Sequence, residues 1–113
     1  MPNVTLSKPV EIFGKRVSAV ELKEPNAGLY VKLGDPRTLV FNASGSGYWV
    51  ENAETIRAYL DQLIVHDAGG DTVMALITLE DGMAVKAALF DFFTGAAGRL
   101  AARKLTSSSS ASV

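Results

Sequence analysis

The side chains able to do chemistry are few in this chain. His66 is the only histidine, and Asp67 and Asp71 near it offer carboxylates, so a metal site can be drawn around it. One imidazole and two carboxylates on a glycine-rich turn form a weak ligand set, however. A histidine near the C-terminal end of a helix is the simpler interpretation, because the helix dipole stabilises a positive charge there.

Glycine and serine residues in the middle of the chain suggest two further kinds of site. Gly45-Ser46-Gly47 has the composition of a phosphate-binding loop, but it lacks both the Gly-Lys-Ser/Thr ending of a P-loop and the Gly-x-Gly-x-x-Gly spacing of a dinucleotide site. Ser44 and Ser46 lack the elbow pattern of a nucleophilic serine. We therefore interpret this segment as a flexible loop.

Glu80 and Asp81 form a pair of neighbouring carboxylates. Adjacent positions on a helix point in different directions, so this pair does not resemble two carboxylates acting on one substrate. Acidic residues in a first helical turn complement the helix dipole, and that role explains both. The residues therefore predict no catalytic group, no metal site and no cofactor, and we expect a protein that binds other proteins and is not an enzyme.

Charge and composition exclude several classes of partner. The formal net charge is −1, from 11 basic and 12 acidic residues, so the sequence indicates no basic face for nucleic acid. No stretch approaches the roughly 18 apolar residues of a membrane span. No apolar run of signal-peptide length precedes Lys8, and the chain has no cysteine, which favours a reducing compartment.

The elements that must position any binding residues indicate an α+β fold. Short β-prone runs on either side of Gly14-Lys15 predict an N-terminal antiparallel β-hairpin, with Pro9 at a strand edge or start. Asn26 is a candidate cap for a short helix over residues 27–33. Residues 37–50 fit either a second hairpin, which would make a small sheet, or an exposed mobile loop.

A set of about three helices is predicted to follow and to pack against the hairpin. Asn52 reads as an N-cap for a helix to about Val65, and Asp71 for a short one through Ile77. The clearest start signal is Thr78, for a helix to Phe93 or Thr94. Residues 1–105 are expected to form a single α+β domain, and the serine-rich tail at 106–113 to be disordered.

The helix from Leu79 to Phe93 is the most informative element. Beyond its first turn only Lys86 and Asp91 are charged, whereas a surface helix should have a polar side. A domain this small cannot easily surround a helix, so part of it is expected to meet another chain. Complete burial is the alternative. For Trp49 the alternatives are a recognition surface and closure of the core. The candidate partner-binding residues are Met83, Val85, Leu89, Phe90, Phe92, Phe93 and Trp49.

Two segments resemble the tail assembly chaperones of Mu-like bacteriophages and related prophages. In that family a segment like residues 4–12 leads to a Gly-Lys turn, here Gly14-Lys15, and a strand then ends in a pattern like residues 22–25 followed by Ala27-Gly28. The segment 76–81, with its helix closing on Phe92-Phe93, is similar to the family's closing motif. Residues 37–50 depart from the family's helical middle.

This resemblance implies a function in phage assembly. Such chaperones act in the cytoplasm of the bacterial host, where they coat the tape measure protein before the tail tube polymerises around it. They then leave and are absent from the mature virion. The implied partners are the tape measure protein and further copies of the chain, or a longer form of it made by ribosomal frameshifting. A structural component of the phage tail is the alternative, since small α+β subunits also assemble through hairpins and apolar helices.

Overall fold

The computed structural model describes the backbone of residues 2–111 and the side chains of residues 2–104. The fold is α+β, with two antiparallel hairpins and helices that are mostly C-terminal, as the sequence predicts. The elements are β1 (Asn3–Ile12), β2 (Lys15–Glu21), α1 (Ala27–Leu33), β3 (Arg37–Phe41), β4 (Gly47–Glu51), α2 (Ala53–Leu63), α3 (Gly70–Leu76) and α4 (Leu79–Ala111). The disordered tail predicted at 106–113 lies outside the described side chains and stays a prediction.

The first hairpin closes through a two-residue turn. Ile12 pairs with Lys15, so Phe13 and Gly14 form the turn, one residue earlier than predicted. Both have positive φ angles, 52° and 75°, which is the geometry of the tight turns that match the twist of a hairpin. Phe13 therefore adopts a left-handed backbone conformation, which is more usual for glycine.

The ladder between β1 and β2 is interrupted by a large bulge. Thr5 pairs with Ala19 and Val10 with Val17, so residues 6–9 of β1 face a single residue of β2. Pro9 lies inside this bulge, on an edge strand as expected for a two-stranded sheet, and not at the start of the strand. The position is physically equivalent, because a residue without an N–H is tolerated where the ladder is already broken.

The buried carboxylate of Asp81, in the first turn of α4, occupies this bulge. Its two oxygens accept hydrogen bonds from the backbone N–H groups of Ser7 at 2.9 Å and Lys8 at 3.4 Å. The Asp81 N–H in turn donates to the hydroxyl of Thr78, which caps the helix as predicted. These contacts satisfy amides that the bulge removes from the ladder and fix the start of α4 across β1.

The core lies between the first hairpin and the three C-terminal helices. Its buried apolar side chains are Leu6, Ile12, Val20, Leu22, Ile56, Tyr59, Leu60, Leu63, Ile64, Val73, Ile77, Val85 and Leu89. The chain after α2 pairs with the end of β2, since Ile64 bridges Leu22. This pairing draws Ile64 into extended backbone, so α2 ends at Leu63 and not at Val65.

Three glycines lie where the helix boundaries differ from the predicted ones. Gly70 begins α3 against α2, where a Cβ atom would lie 2.3 Å from the carbonyl oxygen of Leu60, so no larger residue fits. Gly95 and Gly98 do not end α4, which continues to Ala111. Each glycine costs about 1 kcal/mol of helix propensity relative to alanine. The alanines, Leu100 and basic residues around them are strong helix formers that offset this cost.

The position of Asp81 predicts how stability depends on pH. The backbone hydrogen bond from Ser7, with the other donors around it, holds the pKa of Asp81 below its ordinary value of 3.8. A carboxyl whose folded-state pKa is depressed stabilises the protein above its unfolded pKa, and this stability is lost as pH falls through the folded value. We expect Asp81→Asn to lower the urea midpoint at pH 7, with a difference from wild type that narrows below about pH 4.

Glu80→Gln is the matched control for this experiment, because Glu80 is the exposed neighbour in the same helical turn. It should leave both the urea midpoint and its pH dependence close to wild type. A constant difference between Asp81→Asn and wild type from pH 7 to pH 3 would contradict the assigned role.

Candidate partner-binding surface

An open apolar groove runs between α1, the start of β3 and the second half of α4. Its volume is about 520 Å³. The apolar and aromatic side chains that line it include Tyr30, Pro36, Trp49, Phe92, Phe93 and Leu100. A concave, mostly apolar surface of this kind is typical of a site that receives another molecule.

The floor of the groove is fixed by a chain of contacts from the core. The Tyr59 ring is completely buried, and its hydroxyl donates to the carbonyl oxygen of Gly34 at 2.6 Å. The Phe93 ring packs edge-on against Tyr59 at 5.2 Å between centroids, and Tyr30 lies 6.0 Å from Phe93 on the other side. The Phe93 ring is therefore fixed by contacts with Tyr59 and Tyr30, and the rest of its surface faces the groove.

Hydrogen bonds hold the segment between α1 and β3 along one wall. Tyr30 donates from its hydroxyl to Asp35 at 3.0 Å, and the Asn52 amide donates to the Asp35 carbonyl at 3.0 Å. Asn52 therefore occupies the predicted N-cap position of α2 without capping it, because its side chain is used in this wall. The hydrogen bond to Asp35 raises the pKa of Tyr30, and burial raises the pKa of Tyr59.

Arg37 joins the second hairpin to α4. Its guanidinium carbon lies 4.4 Å from the centroid of the Trp49 ring and 4.7 Å from that of Phe90, so the cation stands between two aromatic faces. Its Nη2 also lies within 3.4 Å of the Thr94 hydroxyl. Lys86 adds an ion pair with Glu51 at 2.8 Å. These side chains decide where the Trp49 ring stands beside the groove.

The predicted partner-binding residues separate into two groups. Trp49, Phe92 and Phe93 line the groove, and Phe90 lies beside it under Arg37. The Trp49 side chain is 56% exposed and outside the core, so closure of the core was the wrong alternative for this residue.

Val85 and Leu89 are corrections to the predicted set. Both are completely buried within the chain's own core, so neither can belong to a partner-binding surface in this structure. Both lie on the side of α4 that packs on the rest of the domain. Met83 is exposed but does not line the groove; it lies near the start of α4, one turn after the exposed Leu79.

Reasoning from sequence missed most of the groove residues, among them Tyr30, Arg37 and Leu100. The only available signal was the position of Arg37, which is the last charged residue before a long uncharged stretch. Tyr30 and Leu100 gave none, because their role depends on how α1 and the extended part of α4 approach each other.

The residues first considered for chemistry have local roles in the structure. The Nδ1 atom of His66 accepts from the Ala68 N–H at 3.0 Å, and Asp71 pairs with Arg57 at 3.2 Å. Across the described residues, no group of three or more acidic, histidine or cysteine side chains is placed to hold a metal ion. In the Gly/Ser segment, the side chain of Asn42 accepts from Ser44 and Ser46 and closes a compact turn.

Comparisons with known proteins give no further guidance to this surface. No protein-family model, curated protein or solved structure matches the chain. The likeness to phage tail assembly chaperones therefore rests on the residues that carry it. No helix in the described part of the chain is long and apolar enough to cross a bilayer.

The stacking of Arg37 predicts the effect of removing it. Arg37→Ala deletes both cation–π contacts, so we expect the free energy of unfolding to fall by about 1 kcal/mol. Trp49 is the only tryptophan, and its emission should become more accessible to acrylamide quenching. Arg103→Ala, which removes an exposed cation further along α4, is the control. Unchanged quenching in Arg37→Ala would contradict the stacked arrangement.

Proposed function

We propose that the chain is a tail assembly chaperone of a Mu-like phage or prophage. It binds the tape measure protein and prevents its aggregation before the tail tube polymerises. The observation that carries this proposal is the apolar groove beside Trp49 and Phe93, an exposed surface suited to covering apolar residues of a client. The likeness of residues 4–28 and 74–93 to this chaperone family supplies the identity of the client.

A long helical client fits the shape and chemistry of the groove. An amphipathic helix lays its apolar side chains into such grooves, with anchors one turn apart. The rim carries both signs of charge, since Arg37 and Arg99 lie near Glu24 and Asp35. A mixed rim favours neither an acidic nor a basic client strongly, so affinity depends on the apolar contacts. This suits a chaperone that binds many successive segments.

The proposed mechanism is physical and needs no cofactor. Each copy covers an apolar stretch of the tape measure protein, and several copies on one client raise the total binding strength without tight individual contacts. Tube subunits then displace them. The proposed partners are the tape measure protein and further copies of this chain or a longer frameshifted form. The proposed location is the cytoplasm of the bacterial host, with no chaperone left in the mature virion, and no enzymatic activity is expected.

A structural component of the phage tail is the second candidate. The observation favouring it is the second hairpin, an exposed arm that carries apolar residues on both faces. Mass spectrometry of purified tails separates the two functions. A subunit present in stoichiometric amount in mature particles supports the structural role, and absence from particles supports the chaperone.

A pair of leucines on α4 offers a direct test of the groove. Leu100 is 47% exposed and lines the groove, whereas Leu79 is 78% exposed and lies outside it. The chain is co-expressed with the tape measure protein, and the soluble client that co-purifies is measured. Leu100→Glu should weaken client binding by about tenfold or more, because it places a charge among apolar contacts at a penalty of about 1.4 kcal/mol or more.

Leu79→Glu is the matched control, with the same substitution on the same helix. It should retain the soluble client at the level of wild type. Equal retention by both variants would show that the groove does not hold the client. Loss of the client in Leu79→Glu alone would place the binding surface at the start of α4.

A further inference from the structure

The second hairpin is an uncovered two-stranded sheet. β3 and β4 pair with each other, and in the described part of the chain no third strand joins them. Isolated two-stranded hairpins are only marginally stable in water. The large apolar side chains exposed on this hairpin are Leu39, Phe41, Tyr48, Trp49 and Val50. A third strand would therefore add stability to this hairpin and cover part of its exposed apolar surface.

The register shows which backbone groups are unpaired. The Asn42 N–H donates to the Ser46 carbonyl at 2.9 Å, and the Asn52 N–H donates to the Pro36 carbonyl at 2.8 Å. Bonded and non-bonded pairs alternate along an antiparallel ladder. Residues at even positions of β3 therefore bond inward to β4. The N–H and C=O groups of Arg37, Leu39 and Phe41 point away from it, along an open edge.

This edge has few of the features that usually keep sheet edges apart. Pro36 and Arg37 stand at its start, and residues 38–50 contain no charged residue and no proline. Soluble proteins commonly protect exposed edges with lysine, proline or bulges. The strand β3 is regular over its whole length and rich in β-branched and aromatic residues. Its sequence is suited to pairing with a strand from another molecule.

A second copy of β3 fits this edge in one register. When two copies pair antiparallel about Leu39, each Arg37 lies opposite the partner's Phe41. The two arginines are then about 13 Å apart along the strands. A parallel pairing would instead set Arg37 beside the partner's Arg37, and like charges on neighbouring strands repel.

The exposed face of the hairpin agrees with this register. Arg37, Leu39 and Phe41 share one face of β3 with Trp49, because Leu39 and Trp49 are paired. Arg37 has aromatic rings on two sides and, among the described residues, no carboxylate oxygen within 4.0 Å. These two rings already cover the faces of the guanidinium, so the partner's Phe41 would pack beside the Arg37 side chain rather than stack on its cation.

We infer that β3 is a self-association edge. Two copies of the chain pair β3 with β3 about Leu39, which gives a continuous four-stranded sheet across a two-fold axis. Phe41, 65% exposed in the single chain, is covered by the other copy near its Arg37. Since Asp35 and Pro36 lead into β3 and line the groove, the added strand lies beside the groove. The proposed function already includes further copies of the chain as partners; this inference rests on that part of it and names the surface through which two copies pair.

A charge exchange at Leu39 tests the two-fold pairing. Leu39→Lys and Leu39→Glu each place two like charges at the centre of the interface, whereas an equimolar mixture of the two variants places opposite charges there. Sedimentation equilibrium of the full chain should show dimers of the wild type. We expect the dissociation constant of the dimer to rise at least tenfold in each single variant. In the equimolar mixture we expect dimers to form again.

Tyr48→Lys is the matched control, because Tyr48 is exposed to a similar degree but lies on β4. It should leave the dimer intact, and circular dichroism should show the same fold in all variants. A monomeric wild type at every concentration, or single variants that still dimerise, would overturn the proposal. If each single variant dimerises more weakly and the mixture of the two does not form dimers again, the pairing about Leu39 is overturned. The assay contains no tape measure protein, so these results are independent of client binding.

Discussion

The backbone amides of Ser7 and Lys8 point at the carboxylate of Asp81, and this contact decides where α4 lies. A buried carboxylate is stable only where donors replace the water that it loses. The bulge in β1 supplies them, since it removes amides from the ladder with β2. The buried carboxylate thus receives the donors that it needs, and the amides in the bulge receive an acceptor. These hydrogen bonds fix the first turn of α4 across the hairpin.

From this anchor one side of α4 changes its role along the length of the helix. Val85 and Leu89 enter the core, and Phe92 and Phe93 follow on the same side, where they pack against the core and line the groove between α1 and β3. The helix then continues past the body of the domain and carries Leu100 along the groove. So apolar a helix can exist in a small domain because its inward side enters the core in the first half of the helix and lines the groove in the second, while its exposed side carries Glu80, Asp91 and alanines.

Local signals in the sequence predicted much of the fold. The Asn26 and Thr78 caps lie where the residues indicate, because each depends on neighbours along the chain. The first hairpin turns one residue earlier than predicted, and a second hairpin was one of two alternatives for residues 37–50. The faces of α4 were not predictable in the same way. When nearly every position is apolar, periodicity does not say which residues face inward, and Val85 and Leu89 were therefore assigned to the wrong side. The stacking of Arg37 depends on a contact between distant elements, which no spacing reveals.

The central claim is that the groove beside Trp49 receives the tape measure protein. The emission of this single tryptophan, followed as a purified tape measure fragment is added, tests the claim most directly. We expect a saturable blue shift, because Trp49 is 56% exposed and loses water when a client covers it. A fragment that co-sediments with the chain and leaves the emission of Trp49 unchanged would contradict it.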